Sequence, residues 1–201
     1  MKKTEAIIFA AGQASRYGDN KLLLPIGDVP AMIYAIRTLC AAGVDRIAVI
    51  TGAYHDTIKQ ALIREPVRIF LNPRHSEGMS ATICFSVQQI DQSSESILLL
   101  PGDVPLFSRQ TIKTMMQYGL THRIVIPRYQ GKKGHPVLVD RKIVEECLET
   151  GLEMPLYEVI QNHQNEVFYL DSDDQGVVLD IDTREDYDAI LSYFKTTYGS
   201  Y

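Results

Sequence analysis

The sequence predicts a three-layer α/β/α fold, in which helices cover both faces of a mostly parallel, mixed sheet. Short apolar runs alternate with segments of helical periodicity along nearly the whole chain, which is the pattern of an α/β sheet. The first run, at residues 6–9, ends in a glycine-bearing segment at residues 10–21, as the first strand of a Rossmann-like fold does. A length of 201 residues suits one domain, which we expect to span residues 1–201.

Strands are predicted where short apolar runs occur, and helices where apolar residues recur every three or four positions. In the first helix, Met32, Ile36 and Leu39 share one face, and Gly43 supplies a C-terminal cap. The predicted strands cover residues 6–9, 47–50, 67–71, 96–100, 123–126, 135–139, 167–170 and 177–181. The predicted helices cover residues 29–42, 57–63, 78–90, 109–118, 141–148, 156–162 and 184–194, with Ser108 and Thr183 as N-caps and a mobile hairpin at 127–133.

Charge and cysteine content favour a globular protein of a reducing compartment. The net charge is −5, whereas nucleic-acid binders usually carry a basic excess. Cys40, Cys84 and Cys147 are far apart and lie in apolar patterns, so they indicate core residues rather than disulfides or a zinc site. No segment is apolar enough over a sufficient length to span a membrane. We therefore expect a cytoplasmic protein that binds neither nucleic acid nor membranes.

The segment at residues 10–21, AAGQASRYGDNK, combines small residues with two cations. Gly12 and Gly18 let backbone N–H groups approach a ligand closely, and Arg16 and Lys21 supply positive charge, so a polyphosphate is the simplest ligand. Neither the P-loop pattern nor the G-x-G-x-x-G dinucleotide pattern is present. A plain tight turn with two solvated cations is the alternative that the loop alone leaves open.

Carboxylates follow two later segments. Asp103 comes just after the strand at residues 96–100, a position suited to a divalent cation or, alternatively, to an aspartate that caps its own turn. Asp180 and Asp182 flank Ile181, so their side chains point the same way if the backbone is extended there. Because ligands of open α/β sheets bind at the carboxyl ends of the strands, these aspartates are candidate metal ligands.

Two other segments carry polar candidates. Gly78 and Ser80 begin a predicted helix whose first N–H groups are open to a phosphate or a carbonyl, although a plain helix cap would use the same residues. His135 follows Gly134 and precedes a proline, and taken alone it is more typical of a structural residue. Of the remaining histidines, only His75 lies near the predicted cleft.

The pattern A-A-G-x-x-S-R-x-G-x-x-K-L-L at residues 10–23 resembles the signature loop of nucleotidyltransferases related to the MobA and MocA proteins, which attach GMP or CMP to molybdopterin. The segments NPRHSEGMS, PGDVP, GHPV and DIDT resemble further segments of this family and occur in the family order. Tyr17, Val104 and Arg184 depart from the usual residues without removing a polar ligand. The resemblance covers residues 6 to about 190 and is nearer to MocA than to MobA.

The resemblance implies a nucleotidyltransferase fold and assigns roles residue by residue. It implies Mg²⁺ as the cofactor, held by Asp103 and Asp182, with Asp180 as the alternative second ligand. The implied catalytic residues are Arg16, Lys21 and Asp103. The implied nucleotide-binding residues are Ala10, Ala11, Gly12, Arg16, Lys21, Thr51, Gly52 and Ser80, with the base against the Ala10–Ala11 and Thr51–Gly52 backbones. The implied acceptor-binding residues are Gly78, Gly134 and His135.

The implied reaction moves a nucleotide from CTP or GTP to a phosphorylated acceptor, in the first place molybdopterin, and releases pyrophosphate. A molybdoenzyme would be a further partner. One alternative replaces the acceptor by a sugar phosphate or a polyol phosphate. The other is a non-catalytic chaperone that binds nucleotide or cofactor for a molybdoenzyme. Loss of a carboxylate ligand would mark such a chaperone, and both Asp103 and Asp182 are present.

Overall fold

The computed structural model describes residues 2–12, 20–149 and 156–199. Part of the predicted phosphate loop therefore falls outside the described residues, including Arg16 and Gly18. The connection at residues 150–155 also falls outside them. The two ends of the loop, Gly12 and Asn20, are described, so its entry and exit are known.

Strands and helices alternate along the described chain. The strands are β1 (Thr4–Ala10), β2 (Pro25–Ile26), β3 (Val29–Pro30), β4 (Arg46–Thr51), β5 (Arg68–Leu71), β6 (Ser96–Pro101), β7 (Ile124–Tyr129), β8 (Lys132–Lys133), β9 (Val137–Asp140) and β10 (Val167–Asp171). The helices are α1 (Ala31–Ala42), α2 (His55–Ala61), α3 (Met79–Val87), α4 (Arg109–Tyr118), α5 (Arg141–Glu149), α6 (Leu156–Asn162) and α7 (Arg184–Tyr198). Short 3-10 helices lie at Lys21–Leu23, His75–Glu77, Gln164–Glu166 and Gln175–Val178.

The main sheet confirms the predicted mixed, mostly parallel arrangement. Its order is β10-β7-β9-β6-β1-β4-β5, with β8 paired to β7, and β2 and β3 form a separate hairpin. β1 is parallel to both β4 and β6, β5 is parallel to β4, and β10 is parallel to β7. β9 runs antiparallel between β6 and β7, and β8 pairs antiparallel with β7. The register pairs Ala10 with Thr51 and Phe9 with Pro101, so the carboxyl ends of three central strands meet at one edge.

Helices pack on both faces of this sheet, which confirms the predicted three layers. Successive β1 side chains point to opposite faces, so Ile8 belongs to the core beneath α1 and α4, whereas Ile7 belongs to the core beneath α3 and α5. A third apolar cluster joins α7 to the β2–β3 hairpin through Phe194, Tyr187 and Ile26. No helix in the described ranges is long and apolar enough to cross a membrane. The three cysteines are free thiols.

The predicted caps are confirmed. Gly43 ends α1 in the left-handed region with φ 94°. The Ser108 side chain accepts a hydrogen bond from Thr111 N and begins α4 at the predicted residue. Thr183 begins α7 in a reciprocal capping box with Asp186. The predicted hairpin is also present, because β8 pairs with the end of β7.

Several predicted elements require correction. The helix predicted at residues 57–63 lies at His55–Ala61, and the helix predicted at residues 78–90 ends at Val87. The first helix begins at Ala31 rather than at residue 29, because Val29 and Pro30 pair with the β2 strand. The strand predicted at 177–181 is wrong, because the chain forms a 3-10 helix at Gln175–Val178 and then crosses the sheet edge. A Cβ on Gly176 would lie 2.1 Å from the carbonyl oxygen of Leu106, so the backbone here is packed against another loop rather than paired in the sheet.

Candidate active site

The turn after β6 is fixed against the neighbouring strand. Gly102 N donates a 2.9 Å hydrogen bond to the carbonyl oxygen of Phe9, and a Cβ at this glycine would lie 2.9 Å from that same oxygen. Asp103 follows, and its carbonyl oxygen accepts a 3.0 Å hydrogen bond from Ile181 N. This bond ties the β6 turn to the segment that carries Asp180 and Asp182, although the two are far apart in sequence.

Lys21 brings two predicted metal ligands together. Its ammonium Nζ lies 2.7 Å from Oδ2 of Asp103 and 2.7 Å from Oδ1 of Asp182. The lysine begins a short 3-10 helix that is capped by Asn20, whose side chain accepts from Leu22 N. Burial alone would lower the pKa of Lys21, but the hydrogen bonds to both aspartates outweigh it and raise that pKa. Lys21 is therefore a charged bridge between the two carboxylates.

Asp180 adds a third carboxylate to the same locality. Partial desolvation raises its pKa, and the negative charges of Asp182 and Asp103 raise it further. Lys21 contacts Asp103 and Asp182, and Lys132 offsets part of the charge on Asp180. Beyond desolvation, the raised pKa of Asp180 reflects the negative charge that its two neighbouring carboxylates keep, which a divalent cation would reduce. Within the described ranges no group of three or more His, Cys, Asp and Glu side chains has the arrangement of a metal site. Asp103 and Asp182 are two carboxylates that share contact with one ammonium.

A cleft of about 380 Å³ opens beside this bridge. Lys21 and Asp103 line it together with Ala10, Ala11 and Gly12, the predicted nucleotide-binding end of β1. On the facing side it is lined by His75, Ser76, Gly78, Met79 and Thr82, which precede or begin α3. The cleft therefore lies between the described ends of the segment at residues 10–21, called the opening loop below, and the start of α3, at the carboxyl edge of the sheet.

The other predicted nucleotide-binding residues lie around this cleft in different ways. Gly78 lines it and has φ 98°, which favours glycine, whereas Ser80 is not among its lining residues. Thr51 is buried behind the sheet edge, where its hydroxyl bonds to His55 Nδ1 at 2.7 Å. Gly52 is buried too, and a Cβ there would lie 2.6 Å from the carbonyl oxygen of Ala11.

The predicted acceptor residues are separated from one another. Gly78 shares the cleft with the opening loop, whereas Gly134 and His135 are not among its lining residues. His135 N donates to the carbonyl oxygen of Val177 at 2.7 Å, which places this histidine beside the segment that crosses the sheet edge. Burial lowers the pKa of His135 despite the opposing charges of Asp103 and Asp180, so its ring is close to the carboxylate group.

Among the cleft residues that were not assigned a role from the sequence, Asn20 and His75 each have a buried polar atom without a hydrogen-bond partner in the described structure. These atoms are Nδ2 of Asn20 and Nδ1 of His75. Asn20 carries the sequence signal of a cap before a helical turn. His75 stands in the NPRHSEGM segment that the sequence already placed near the cleft, but its packing against Gly52 depends on tertiary contacts that no local pattern encodes.

The lysine-bridged pair of carboxylates lies at the carboxyl edge of an open, mostly parallel sheet, which is where α/β folds of this class bind their ligands. Its sequence matches the MobA-like NTP transferase domain over residues 6–167. The chain therefore belongs to the MobA-like NTP transferase family, and the resemblance stated from its motifs is confirmed.

Individual relatives are distant. The molybdenum cofactor cytidylyltransferase of Escherichia coli K12 is 23% identical over 193 residues, which are 93% of this chain and 95% of the relative. The bifunctional protein GlmU of Geotalea daltonii is 23% identical over 128 residues, which are 63% of this chain. That match covers only 28% of the length of GlmU.

Solved structures share the fold. Rv0371c from Mycobacterium tuberculosis H37Rv superposes with a TM-score of 0.83 at 23% identity and covers 95% of this chain and 98% of its own. A complex of Rv0371c with manganese gives a TM-score of 0.78 at 21% identity and covers 95% of this chain and 99% of its own. The 4-diphosphocytidyl-2C-methyl-D-erythritol synthase from Anaerococcus prevotii gives a TM-score of 0.77 at 18% identity, and the match covers 96% of this chain and 99% of the synthase.

Proposed function

We propose that this protein is a nucleotidyltransferase that moves CMP or GMP from the triphosphate to a phosphorylated acceptor and releases pyrophosphate. The observation that carries the proposal is the Lys21 ammonium, 2.7 Å from carboxylates of both Asp103 and Asp182, at a cleft lined by the Ala10–Gly12 backbone. Such a site combines positive charge and close backbone approach for phosphates with carboxylates for a cation. Membership of the MobA-like NTP transferase family supports the same activity.

We propose Mg²⁺ as the cofactor. Carboxylate oxygens are the ligands that this cation prefers, and the excess negative charge around Asp103, Asp180 and Asp182 suits it. Asp103 and Asp182 would hold the cation, because an oxygen of each already lies 2.7 Å from the same positive charge. A bound divalent cation would supply Lewis-acid charge at the α-phosphate. The manganese complex of Rv0371c, a protein of the same fold, supports a divalent metal.

The proposed chemistry needs no base from the protein. The second pKa of a phosphomonoester is about 6, so the acceptor phosphate is largely ionised at neutral pH. One of its oxygens attacks the α-phosphorus of the donor, the bond from that phosphorus to the bridging oxygen breaks, and the electron pair leaves with pyrophosphate. The protein contributes position and charge: Lys21 offsets negative charge on the phosphates, and the Gly12 backbone lets them approach closely. Arg16 is proposed to do the same as Lys21.

Molybdopterin is the acceptor that we propose first. The support is the E. coli molybdenum cofactor cytidylyltransferase, which aligns over 95% of its own length. A polyol phosphate is the second candidate, because the A. prevotii 4-diphosphocytidyl-2C-methyl-D-erythritol synthase has the same fold over 96% of this chain. A molybdoenzyme partner, a cytoplasmic location and a single-domain organisation stay proposals of the same kind.

The test is pyrophosphate release from the purified protein with Mg²⁺, one triphosphate and one acceptor at a time. CTP and GTP are each combined with molybdopterin, its molybdate form, a sugar 1-phosphate and a polyol phosphate. We expect release with one triphosphate and a molybdopterin acceptor. Release with a polyol or sugar phosphate alone would replace the acceptor, and nucleotide binding without release in every combination would favour the chaperone alternative.

Substitution of one carboxylate links that activity to the site. Asp103→Ala is expected to reduce turnover by about 1,000-fold or more, because the variant loses one of two carboxylates proposed to hold the metal. Asp173→Ala is the matched control, since this exposed aspartate is on a loop and does not line the cleft. A folded Asp103→Ala protein with wild-type turnover would contradict the metal assignment.

A further inference from the structure

The wall of the cleft near Gly52 is formed by a histidine ring. A Cβ on Gly52 would lie 2.8 Å from both Cβ and Cγ of His75, so the ring packs directly on this glycine. The backbone that the sequence assigns to the donor base is thereby covered on that side by His75, which itself lines the cleft. A base entering there would meet the imidazole before it met Gly52.

The contacts of the two ring nitrogens favour one tautomer of the neutral imidazole. Nδ1 is buried and has no hydrogen-bond partner in the described structure. A buried N–H donor without a partner is costly and rare, while an unpaired acceptor is better tolerated. In a neutral imidazole one nitrogen carries the proton, so this environment places it on Nε2. Nε2 then offers a donor, and no hydrogen bond in the described part of the chain uses it.

The sheet sets the distance between this donor and the carboxylates. Asp103 follows β6 and Gly52 follows β4, and β1 lies between these two strands. Neighbouring strands are about 4.8 Å apart, so the two ends of the cleft are separated by about 10 Å. When the α-phosphate lies near Asp103, the ribose and base of the same nucleotide extend across the end of β1 towards His75.

We infer that His75 reads the base of the donor nucleotide, donating a hydrogen bond from Nε2 to an acceptor atom on the base edge. This inference rests on the proposed nucleotidyl transfer and adds a specificity-determining residue to it. A carbonyl oxygen or an unprotonated ring nitrogen accepts such a bond, whereas an exocyclic amine or a protonated ring nitrogen at the same place cannot. Bases of the same ring size, such as cytosine and uracil, differ in just this respect.

The experiment compares the binding of CTP, UTP, GTP and ATP by calorimetry, without acceptor, in wild type, three His75 variants and one control variant. His75→Ala is expected to lose about 5- to 30-fold in affinity for the preferred triphosphate, the size of one hydrogen bond, and little for its same-sized competitor. His75→Gln should restore most of the preference, because its amide nitrogen reaches the position of Nε2. His75→Asn, whose amide imitates Nδ1, should not. His122→Ala is the control, since that ring stacks on Phe168 away from the cleft.

An equal loss for all four triphosphates would overturn base reading and assign His75 to ribose or phosphate. An unchanged preference in a folded His75→Ala protein would overturn it as well, as would equal rescue by Gln and Asn. Because binding is measured without acceptor, failure to transfer a nucleotide to any acceptor would refute the proposed function while leaving this result standing. Wild-type protein that binds no triphosphate would overturn both.

Discussion

The Lys21 bridge makes opposite predictions for two ligands. Its ammonium lies 2.7 Å from Asp103 and 2.7 Å from Asp182, between the carboxylates proposed to hold Mg²⁺. A divalent cation that binds to these oxygens must displace the ammonium, because two cations on the same oxygens repel each other. We therefore expect Lys21→Met to bind Mn²⁺, used as a probe for the site, more tightly than the wild type. The same variant should bind the triphosphate more weakly, because it lacks a cation for the phosphates.

The size of the gain follows from the two contacts. The side chains of Lys21 and Asp103 are 22% and 21% exposed, so their hydrogen bond falls among charged contacts that contribute about 1.5 to 3 kcal/mol. Asp182 is 57% exposed, and exposed pairs contribute about 1 kcal/mol or less. The released ammonium regains hydration, which offsets part of this sum. We take about 2 kcal/mol, which corresponds to roughly 30-fold in metal affinity.

The assay is a Mn²⁺ titration without nucleotide, in which free Mn²⁺ is followed by electron paramagnetic resonance. Lys59→Met is the matched control, because Lys59 is an exposed residue of α2 and does not line the cleft. Lys21→Arg keeps the charge and should gain much less than Lys21→Met. Unchanged or weaker Mn²⁺ binding by folded Lys21→Met would refute the competition between this ammonium and the cation for one pair of carboxylates.

Three further predictions concern positions around the site and in the scaffold. Gly52→Ala should lower the affinity for the preferred triphosphate at least tenfold, as measured by calorimetry, because a Cβ 2.6 Å from a backbone carbonyl forces the end of the opening strand to move. Ser108→Ala should lower the free energy of unfolding by about 1 kcal/mol in urea titrations and leave turnover unchanged, since the Ser108 hydroxyl caps α4 and contacts Thr111 Oγ1 but does not line the cleft. Hydrogen bonds to Glu146 and Glu166 raise the pKa of His163, so its stabilisation is present below about pH 6.5 and is lost as pH rises through the folded-state pKa. His163→Gln should therefore lower the free energy of unfolding, measured by urea titration, by up to about 1 kcal/mol at pH 6 and by much less at pH 9. An equal loss at both pH values would contradict this.

Features that depend on a few neighbouring residues were predictable from the sequence. Gly43 ends a helix because its left-handed backbone carries no Cβ penalty, and Ser108 begins one because its hydroxyl reaches a free N–H three residues on. The sheet class was predictable for a similar reason. Uninterrupted apolar runs are stable as strands only when both faces are covered, so alternation with helices leaves few other arrangements.

Features that depend on distant partners were not predictable. The run at 177–181 has the composition of a strand, yet Gly176 packs on the carbonyl oxygen of Leu106 and the chain forms a 3-10 helix at Gln175–Val178. His135 N donates a 2.7 Å hydrogen bond to the carbonyl oxygen of Val177 instead of to a residue of a neighbouring strand. The role of His75 was hidden for the same reason: its orientation depends on Gly52, which lies on another strand end.

The Lys21 bridge also offsets the repulsion between the carboxylates of the site. Asp103, Asp180 and Asp182 come from two segments joined by the hydrogen bond from Ile181 N to Asp103 O, so the backbone itself holds the three carboxylates close to one another. Their mutual repulsion would oppose that bond if no cation lay among them. Lys21 belongs to the opening loop, so the residue proposed to bind the triphosphate also stabilises the place where the metal is proposed to bind. Binding of metal and nucleotide should then be coupled, because a cation that displaces Lys21 from the carboxylates frees its charge for the phosphates.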